Sequence, residues 1–234
     1  MSNQPSSYTR DRQLQELHQS AANLTQYACI VSARHIKDGV LRGQFNRDMA
    51  YYVRQVLSDV RNGKLRTDEA AWRLELEHKS LSRISLEVGG VIAGGFMTLT
   101  GIGLCYGSAM TLCSVGTPMI AHGANNIYEN VANLARGRTD TAGPLKKVYR
   151  IAAVAAGGTE NNGDVAYGSV DVLLSIYGFF RPVPKPGTWQ LFIPIRTDYV
   201  PAYKLMNKGA LLFEGVMSAW TAYLTYQTAQ EAEK

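Results

Sequence analysis

The sequence predicts a mainly α-helical protein: a helical bundle with a central glycine-rich hydrophobic helical hairpin and one short proline-rich irregular or extended segment. Three observations predict this class. Apolar residues in the first third recur every three or four positions, the period of a helix that packs on another helix. The long stretch between Glu87 and Glu129 contains no charged residue. Five of the eight prolines fall within residues 181–201, which excludes a long helix there.

Composition excludes several other classes of protein. The chain has 234 residues, a net charge of +5 and only 18% charged residues, against roughly 25% in an ordinary soluble domain. The apolar content excludes disorder, and three cysteines are too few for a disulfide scaffold, so we expect no need for oxidation. The basic charge is too diffuse to indicate nucleic-acid binding. The polar first residues predict no signal peptide.

Residues 1–85 are predicted to form an amphipathic helical N-terminal region. The first helix has an apolar stripe of residues at alternating spacings of three and four: Leu14, Leu17, Ala21, Leu24, Ala28 and Val31. A second helix is predicted to end at Asn62-Gly63. Thr67 has the character of an N-cap for a third helix, in which Trp72 and Leu76 are expected to face inward.

The stretch Leu86–Ala121 is longer than the roughly 20 apolar residues that span a bilayer. Divided near Gly101–Gly103 or near Cys105–Gly107, it provides two segments of a hydrophobic helical hairpin. The same composition also suits a buried helix pair of a soluble protein. The mean hydropathy of −0.13 is low for a resident membrane protein, so we expect a chain that is soluble first and inserts later.

Small and hydroxyl residues within this hairpin suggest close helix packing and a pore lining. Glycines four residues apart let helices approach closely in lipid, and the predicted packing or membrane-inserting positions are Gly90, Gly94, Gly95, Gly103, Gly107 and Gly116. The candidate pore-lining residues are Thr98, Thr100, Ser108, Thr111 and Ser114.

Residues 86–234 are predicted to form one continuous globular unit that combines the hairpin with a C-terminal helical region. Helices are expected over Leu145–Ala156, Val165–Phe180 and Ala202–Gln227. The proline-rich segment separates the last two of these helices. The sequence thus predicts two regions in one chain, 1–85 and 86–234.

A polar cluster follows the hairpin, and its members are His122, Asn125, Asn126, Tyr128 and Glu129. On a helix, His122 and Glu129 would lie two turns apart on one face. An enzyme would use Glu129 as a general base with His122 as its partner. The alternative is a polar turn whose amides cap helix ends. No nucleophile, phosphate-binding or metal-ligand motif fixes a reaction, so we predict no catalytic residue, no metal and no cofactor.

Two carboxylates stand alone within otherwise apolar segments, Asp171 and Glu214. A buried carboxylate requires a cation, a hydrogen-bond donor or water. In a soluble fold we expect Arg150, Lys204 or Lys208 to pair with them. In a membrane assembly the same groups would face a water-filled path and favour cations.

The order of features between Gly89 and Ala219 resembles a proteobacterial family first described as a domain of unknown function. The resemblance rests on the glycine-rich stretch and on five further segments, of which the first is the most specific: Ile120–Glu129, Gly143–Leu145, Gly163–Tyr167 with Val170–Asp171, Lys185–Trp189 and Asp198–Lys204. Members of that family are antibacterial effectors of the type VI secretion system, and some form pores that depolarise a competitor's inner membrane.

The resemblance implies a toxin for competition between bacteria, held in the producer's cytoplasm and exported without a signal peptide. It would act at the inner membrane of the target cell. Its implied partners are a cognate immunity protein, a type VI secretion component as carrier and the lipid bilayer. A homo-oligomer in the membrane is expected because one hairpin encloses little water. The alternative function is a secreted lipid or cell-wall hydrolase that uses His122 and Glu129.

Overall fold

The computed structural model describes residues 7–108, 110–187 and 198–232. The prediction of a mainly α-helical protein is confirmed. The helices of the described residues are α1 (Ser7–His35), α2 (Gly39–Arg61), α3 (Thr67–Gly107), α4 (Cys113–Arg136), α5 (Pro144–Ala155), α6 (Glu160–Phe180) and α7 (Lys208–Ala232). A two-stranded antiparallel ribbon, β1 (Pro182–Pro184) with β2 (Tyr199–Pro201), and a short 3₁₀ helix, Ala202–Lys204, lie between α6 and α7.

The chain divides into two compact units, Met1–Leu86 and Glu87–Lys234. The N-terminal unit has an ordinary apolar core supplied by α1, α2 and the first part of α3. Its buried residues are Leu17, Ala21, Leu24, Ala28, Met49, Val53, Val56, Ala70, Leu74 and Leu81. Trp72 and Leu76 are exposed, so the inward face of α3 is shifted from the expected one and passes through Ala70 and Leu74 instead.

Helix α3 continues without interruption from the amphipathic region into the glycine-rich stretch. The sequence suggested a break near Gly101–Gly103 or near Cys105–Gly107. The helix runs through the first of these positions and ends at Gly107, and α4 begins at Cys113. The glycines at 101 and 103 do not break α3, since its backbone hydrogen bonds continue through them.

A disulfide joins Cys105 near the end of α3 to Cys113 at the start of α4. It closes the turn of the α3–α4 hairpin, where Met110 has a φ of +72°. The expectation that the cysteines need no oxidation is therefore corrected for this pair. Cys29 is a free, exposed cysteine.

Helices α3 and α4 approach each other at facing glycines that are seven residues apart on each helix. A Cβ atom on Gly101 would lie 2.5 Å from the carbonyl oxygen of Gly116. A Cβ atom on Gly94 would lie 2.7 Å from the carbonyl oxygen of Gly123. Because real Cβ atoms do not come so close to backbone oxygen, only glycine permits this distance between the two helices.

In the C-terminal unit, α5 and α6 pack against α4, and α7 packs on α6. The expected helices over 145–156, 165–180 and 202–227 correspond to α5, α6 and the 3₁₀ helix with α7. Gly163 of α6 packs on the backbone of Arg150 in α5, and Gly168 packs on Thr225 of α7. These small residues let α6 pack closely on α5 and α7, and side chains of α5 and α6 meet the polar residues of α4. The part of the proline-rich segment at 188–197 lies outside the described residues.

Candidate functional site

The candidate site lies on one face of α4. The polar residues after the hairpin do not form a turn; they belong to this helix. His122, Asn125, Asn126 and Glu129 are spaced by three, one and three residues, which places them on a common helical face. This face is directed toward α5 and α6, which contribute the remaining members of the cluster.

His122 lies at the centre of the cluster and is only 2% exposed. Its Nδ1 atom is 3.3 Å from Oδ1 of Asp171 on α6, and its Nε2 atom is 3.1 Å from the hydroxyl of Tyr149 on α5. A carboxylate accepts hydrogen bonds, so Nδ1–H donates to Asp171 and the Tyr149 hydroxyl donates to Nε2. Both ring nitrogens are therefore engaged within the protein.

Tyr167 of α6 extends the network along α4. Its ring stacks on the His122 ring, with centroids 4.7 Å apart and an interplanar angle of 10°. Its hydroxyl donates to Oδ1 of Asn126 at 2.7 Å and accepts from Nδ2 of Asn125 at 2.9 Å. The Asn126 amide in turn donates to Oδ1 of Asp171 at 3.0 Å. One tyrosine hydroxyl thus connects both asparagines.

Glu129 closes the other end of the network. Its Oε1 atom accepts from the backbone N–H of Gly143 at 2.7 Å and from the side-chain amide of Asn125 at 2.9 Å. The Asn125 side-chain oxygen accepts from the N–H of Leu145 at 3.0 Å.

The geometry makes this cluster a set of internal connections between α4, α5 and α6. Every polar contact described above is made to another group of the protein, and the central histidine is out of reach of solvent. A general base must come within hydrogen-bond distance of a substrate proton. In this conformation both ring nitrogens of His122 are engaged within the protein, as is Oε1 of Glu129, the predicted general base. The hydrolase alternative stays a prediction.

The profile of one protein family matches residues 64–207, a region that begins just before α3 and ends just before α7. That family is DUF4225, described as proteins of unknown function. The chain belongs to the DUF4225 family. The match includes the whole polar cluster and both helices of the hairpin. It confirms a domain-of-unknown-function family, while the role of a type VI effector stays a prediction. No curated protein and no solved structure matches the chain.

The other predicted site residues of the DUF4225 region lie outside the polar cluster, and their surroundings differ from one residue to the next. Tyr128 is exposed on α4 and forms none of the cluster's hydrogen bonds described above. Of the predicted glycines, Gly90, Gly94 and Gly116 face the α3–α4 interface. The three others, Gly95, Gly103 and Gly107, have open space where a Cβ would be, whereas Gly101 and Gly123, which were not predicted, lie in the interface.

The candidate pore-lining residues are distributed between the helix interface, the turn and the surface. Thr98 donates to the carbonyl of Gly94 at 2.8 Å and lies against Gly123, within the hairpin interface. Ser108 and Thr111 form hydrogen bonds of the turn between the helices. Thr100 is half-buried on α3, and Ser114 is exposed on α4.

The partners of Asp171 differ from the expected lysine or arginine. Asp171 is bound by His122 and Asn126, whereas Arg150 pairs with Asp164 at 2.6 Å. The sequence offered a weak signal for Tyr167, which lies one helical turn before Asp171 on α6. It offered none for Tyr149. Within the described ranges, no group of three or more His, Cys, Asp or Glu side chains is arranged to hold a metal ion.

Glu214, on α7, is half-buried, and no cation is within ion-pair distance of it among the residues that the structure describes. Burial, reinforced by the nearby negative charge of Asp171, raises the pKa of Glu214 from 4.5 to about 7. The folded state therefore binds more protons than the unfolded state between these two pH values.

We expect the free energy of unfolding to fall as the pH rises from 4.5 to about 7. The Glu214→Gln variant should be more stable than the parent above pH 7, by about 2 kcal/mol after allowance for solvent screening of a partly exposed group. Urea unfolding across this range measures both effects. The variant should show a weaker slope than the parent, because it lacks the Glu214 carboxyl. Equal slopes in parent and variant would contradict the assignment to Glu214.

Proposed function

We propose that this protein is an antibacterial toxin of a type VI secretion system that forms ion-conducting pores in the inner membrane of a target cell and depolarises it. The observation that carries the proposal is an apolar stripe exposed on α3 within the α3–α4 hairpin. Five large residues at helical spacing form this stripe: Ile92, Phe96, Leu99, Ile102 and Tyr106.

The stripe would contact lipid when the hairpin inserts. Leu99 is 66% exposed and Tyr106 is 77% exposed, although both lie in a charge-free part of α3. Transfer of one large apolar side chain from water to an apolar medium gains about 1.5–3 kcal/mol. By length and composition, α3 is long and apolar enough to cross a bilayer, and it is the single such helix among the described residues.

The glycine contacts give the hairpin the close packing that helices need in lipid. With no hydrophobic force between helices inside a bilayer, association depends on close van der Waals contact between small residues. Gly94 and Gly101 of α3 face Gly123 and Gly116 of α4 in this way. The disulfide between Cys105 and Cys113 holds the end of the hairpin together. The pair would therefore enter the membrane as one unit.

The biological setting of the proposal comes from the family resemblance. The toxin would be held in the producer's cytoplasm, carried by a type VI secretion component and neutralised by a cognate immunity protein. After delivery, several copies would assemble in the inner membrane, because one hairpin cannot enclose a water-filled path. Thr98, Thr100, Ser108, Thr111 and Ser114 remain the proposed lining of that path.

The proposal is tested by current across a planar bilayer formed from phosphatidylethanolamine and phosphatidylglycerol. We expect step-like conductance from the purified protein and its loss in the Leu99→Glu variant, since a charge near the centre of a spanning helix costs about 2.5–3.5 kcal/mol. The matched control is Leu41→Glu, at an exposed leucine of α2 in the N-terminal unit. It should conduct as the parent does.

Absence of conductance from the parent at every applied potential would contradict the pore. Equal conductance from the parent and from Leu99→Glu would contradict the role of the α3 stripe. Killing that depends on Glu129, in a protein that never depolarises cells, would instead favour an enzyme.

A further inference from the structure

The C-terminal unit, Glu87–Lys234, buries a cluster of polar side chains beside a small apolar cluster of Met97, Leu104 and Met119, and it exposes large apolar residues. Its interior contains polar side chains that are at most 6% exposed: Glu87, His122, Asn125, Asn133 and Asp171. Large apolar residues of α5 and α6 are at its surface. In the N-terminal unit the buried residues are mostly apolar, as in soluble proteins. Buried polar groups with apolar residues outside are typical of helices in lipid.

Helix α6 shows this arrangement most clearly. Its inner face contains Tyr167, Gly168 and Asp171, which are buried. Its outer face contains Leu173, Ile176 and Phe180, which are 63%, 45% and 64% exposed and recur every three or four residues. No charged residue occurs between Asp171 and Arg181. The outer face of α6 therefore lacks the polar rim that surrounds an ordinary protein–protein contact.

Helix α5 combines an exposed apolar face with basic residues. Val148, Ile151 and Val154 are 59%, 69% and 52% exposed and lie three residues apart. Lys147 is exposed and lies one turn before Ile151, on the same side of the helix. Basic residues beside an apolar face are typical of helices that lie in the interface of an anionic membrane.

We infer that the outer faces of α5 and α6 form a second lipid-binding surface of this unit, in addition to the α3–α4 hairpin. Its partner is the hydrocarbon region of an anionic phospholipid bilayer, with α5 at the level of the headgroups and α6 deeper. The inference rests on the proposed function, because it extends the membrane contact of the same unit. We assign lipid as the partner because α5 and α6 have polar inner faces and apolar outer faces, the reverse of helices in a soluble protein.

The test uses tryptophan fluorescence in the full chain, with Trp72, Trp189 and Trp220 replaced by Phe. Single tryptophans are introduced by Leu173→Trp on α6 or Ile151→Trp on α5. The matched control is Tyr51→Trp, at an exposed position of α2. The vesicles contain phosphatidylethanolamine and phosphatidylglycerol, with or without bromine on the acyl chains as a quencher.

We expect quenching of at least about twofold at both test positions and none at the control, with weaker binding to vesicles that lack phosphatidylglycerol. Unquenched tryptophans at 151 and 173 in vesicle-bound protein would overturn the inference. The inference would also be overturned if positions 151 and 173 were buried in a lipid-free dimer and were not quenched by lipid. That result would assign the surface to a second copy of the chain.

The inference and the proposed function can fail separately. Conductance without quenching at 151 and 173 would leave the pore in place and remove the second lipid surface. Quenching without conductance would support the lipid surface and remove the pore.

Discussion

The Gly101→Ala variant is expected to lose about 2 kcal/mol or more of unfolding free energy. A Cβ atom at this position would lie 2.5 Å from the Gly116 carbonyl oxygen and 2.9 Å from the backbone nitrogen of Ile120. Both of these atoms belong to the backbone of α4 and cannot move aside as a side chain can, so α3 and α4 would have to separate. Separation would open the hairpin interface along its length, because interiors are close-packed. Urea unfolding of the full chain measures the loss.

The matched control for this substitution is Gly103→Ala, two residues further along the same helix. A Cβ atom on Gly103 would meet nothing within 4 Å. Alanine is the better helix former by about 0.5–1 kcal/mol, so this variant should be slightly more stable than the parent. Equal destabilisation by the two substitutions would contradict the glycine-to-glycine packing of α3 against α4. Leucine variants at the same two positions should follow the same order, so that Gly101→Leu loses more conductance than Gly103→Leu.

The Tyr167→Phe variant should be destabilised by about 1–3 kcal/mol, because it removes the donor to the Asn126 side-chain oxygen and one of the two acceptors of the Asn125 amide. The Tyr167 hydroxyl accepts from Asn125 and donates to Asn126. Phenylalanine keeps the ring that stacks on His122, so the loss reports on the hydroxyl alone. Thermal unfolding followed by circular dichroism measures the change.

Tyr128→Phe is the control for the tyrosine variant. Tyr128 is exposed on the same helix as the cluster, α4, and removal of its hydroxyl should change stability by less than about 0.5 kcal/mol. If both variants behaved alike, the hydrogen-bond chain through Tyr167 would not contribute to stability. A double-mutant cycle of Tyr167→Phe with Asn126→Ala should show a coupling of about 1 kcal/mol or more between the two residues.

Local features of the fold were predictable from the sequence because they depend on residues close together in the chain. The stripe from Leu17 to Val31 predicted the buried face of α1, since helical period is a local property. The spacing of His122 and Glu129 likewise predicted that they share a face of one helix. The hairpin was predicted by the absence of charge between Glu87 and Glu129.

Partners that come from distant segments were not predictable. His122 contacts Tyr149 and Asp171, which are 27 and 49 residues away. Nothing near Asp171 indicates a histidine partner, so a lysine or arginine was the expected choice. The side of α3 that faces α4 depends on tertiary packing too. The spacing of Gly90 and Gly94 predicted the correct side, whereas that of Gly103 and Gly107 predicted the wrong one, and the interface also uses Gly101, which was not predicted.

The end of the hairpin depends on a contact that composition does not reveal. Three cysteines in apolar surroundings suggested unpaired thiols, yet Cys105 and Cys113 are joined across the turn. Their eight-residue separation becomes a contact only because α3 ends at Gly107 and α4 begins at Cys113. The position of that turn, rather than the number of cysteines, determines the pairing.

The central claim is that the α3–α4 hairpin of this DUF4225 protein lets ions cross a target membrane. Its most direct test is the membrane potential of susceptible cells that receive the protein, measured together with entry of a dye too large for a small pore. We expect rapid depolarisation while the large dye stays outside. Cells that die with an intact membrane potential would contradict the claim.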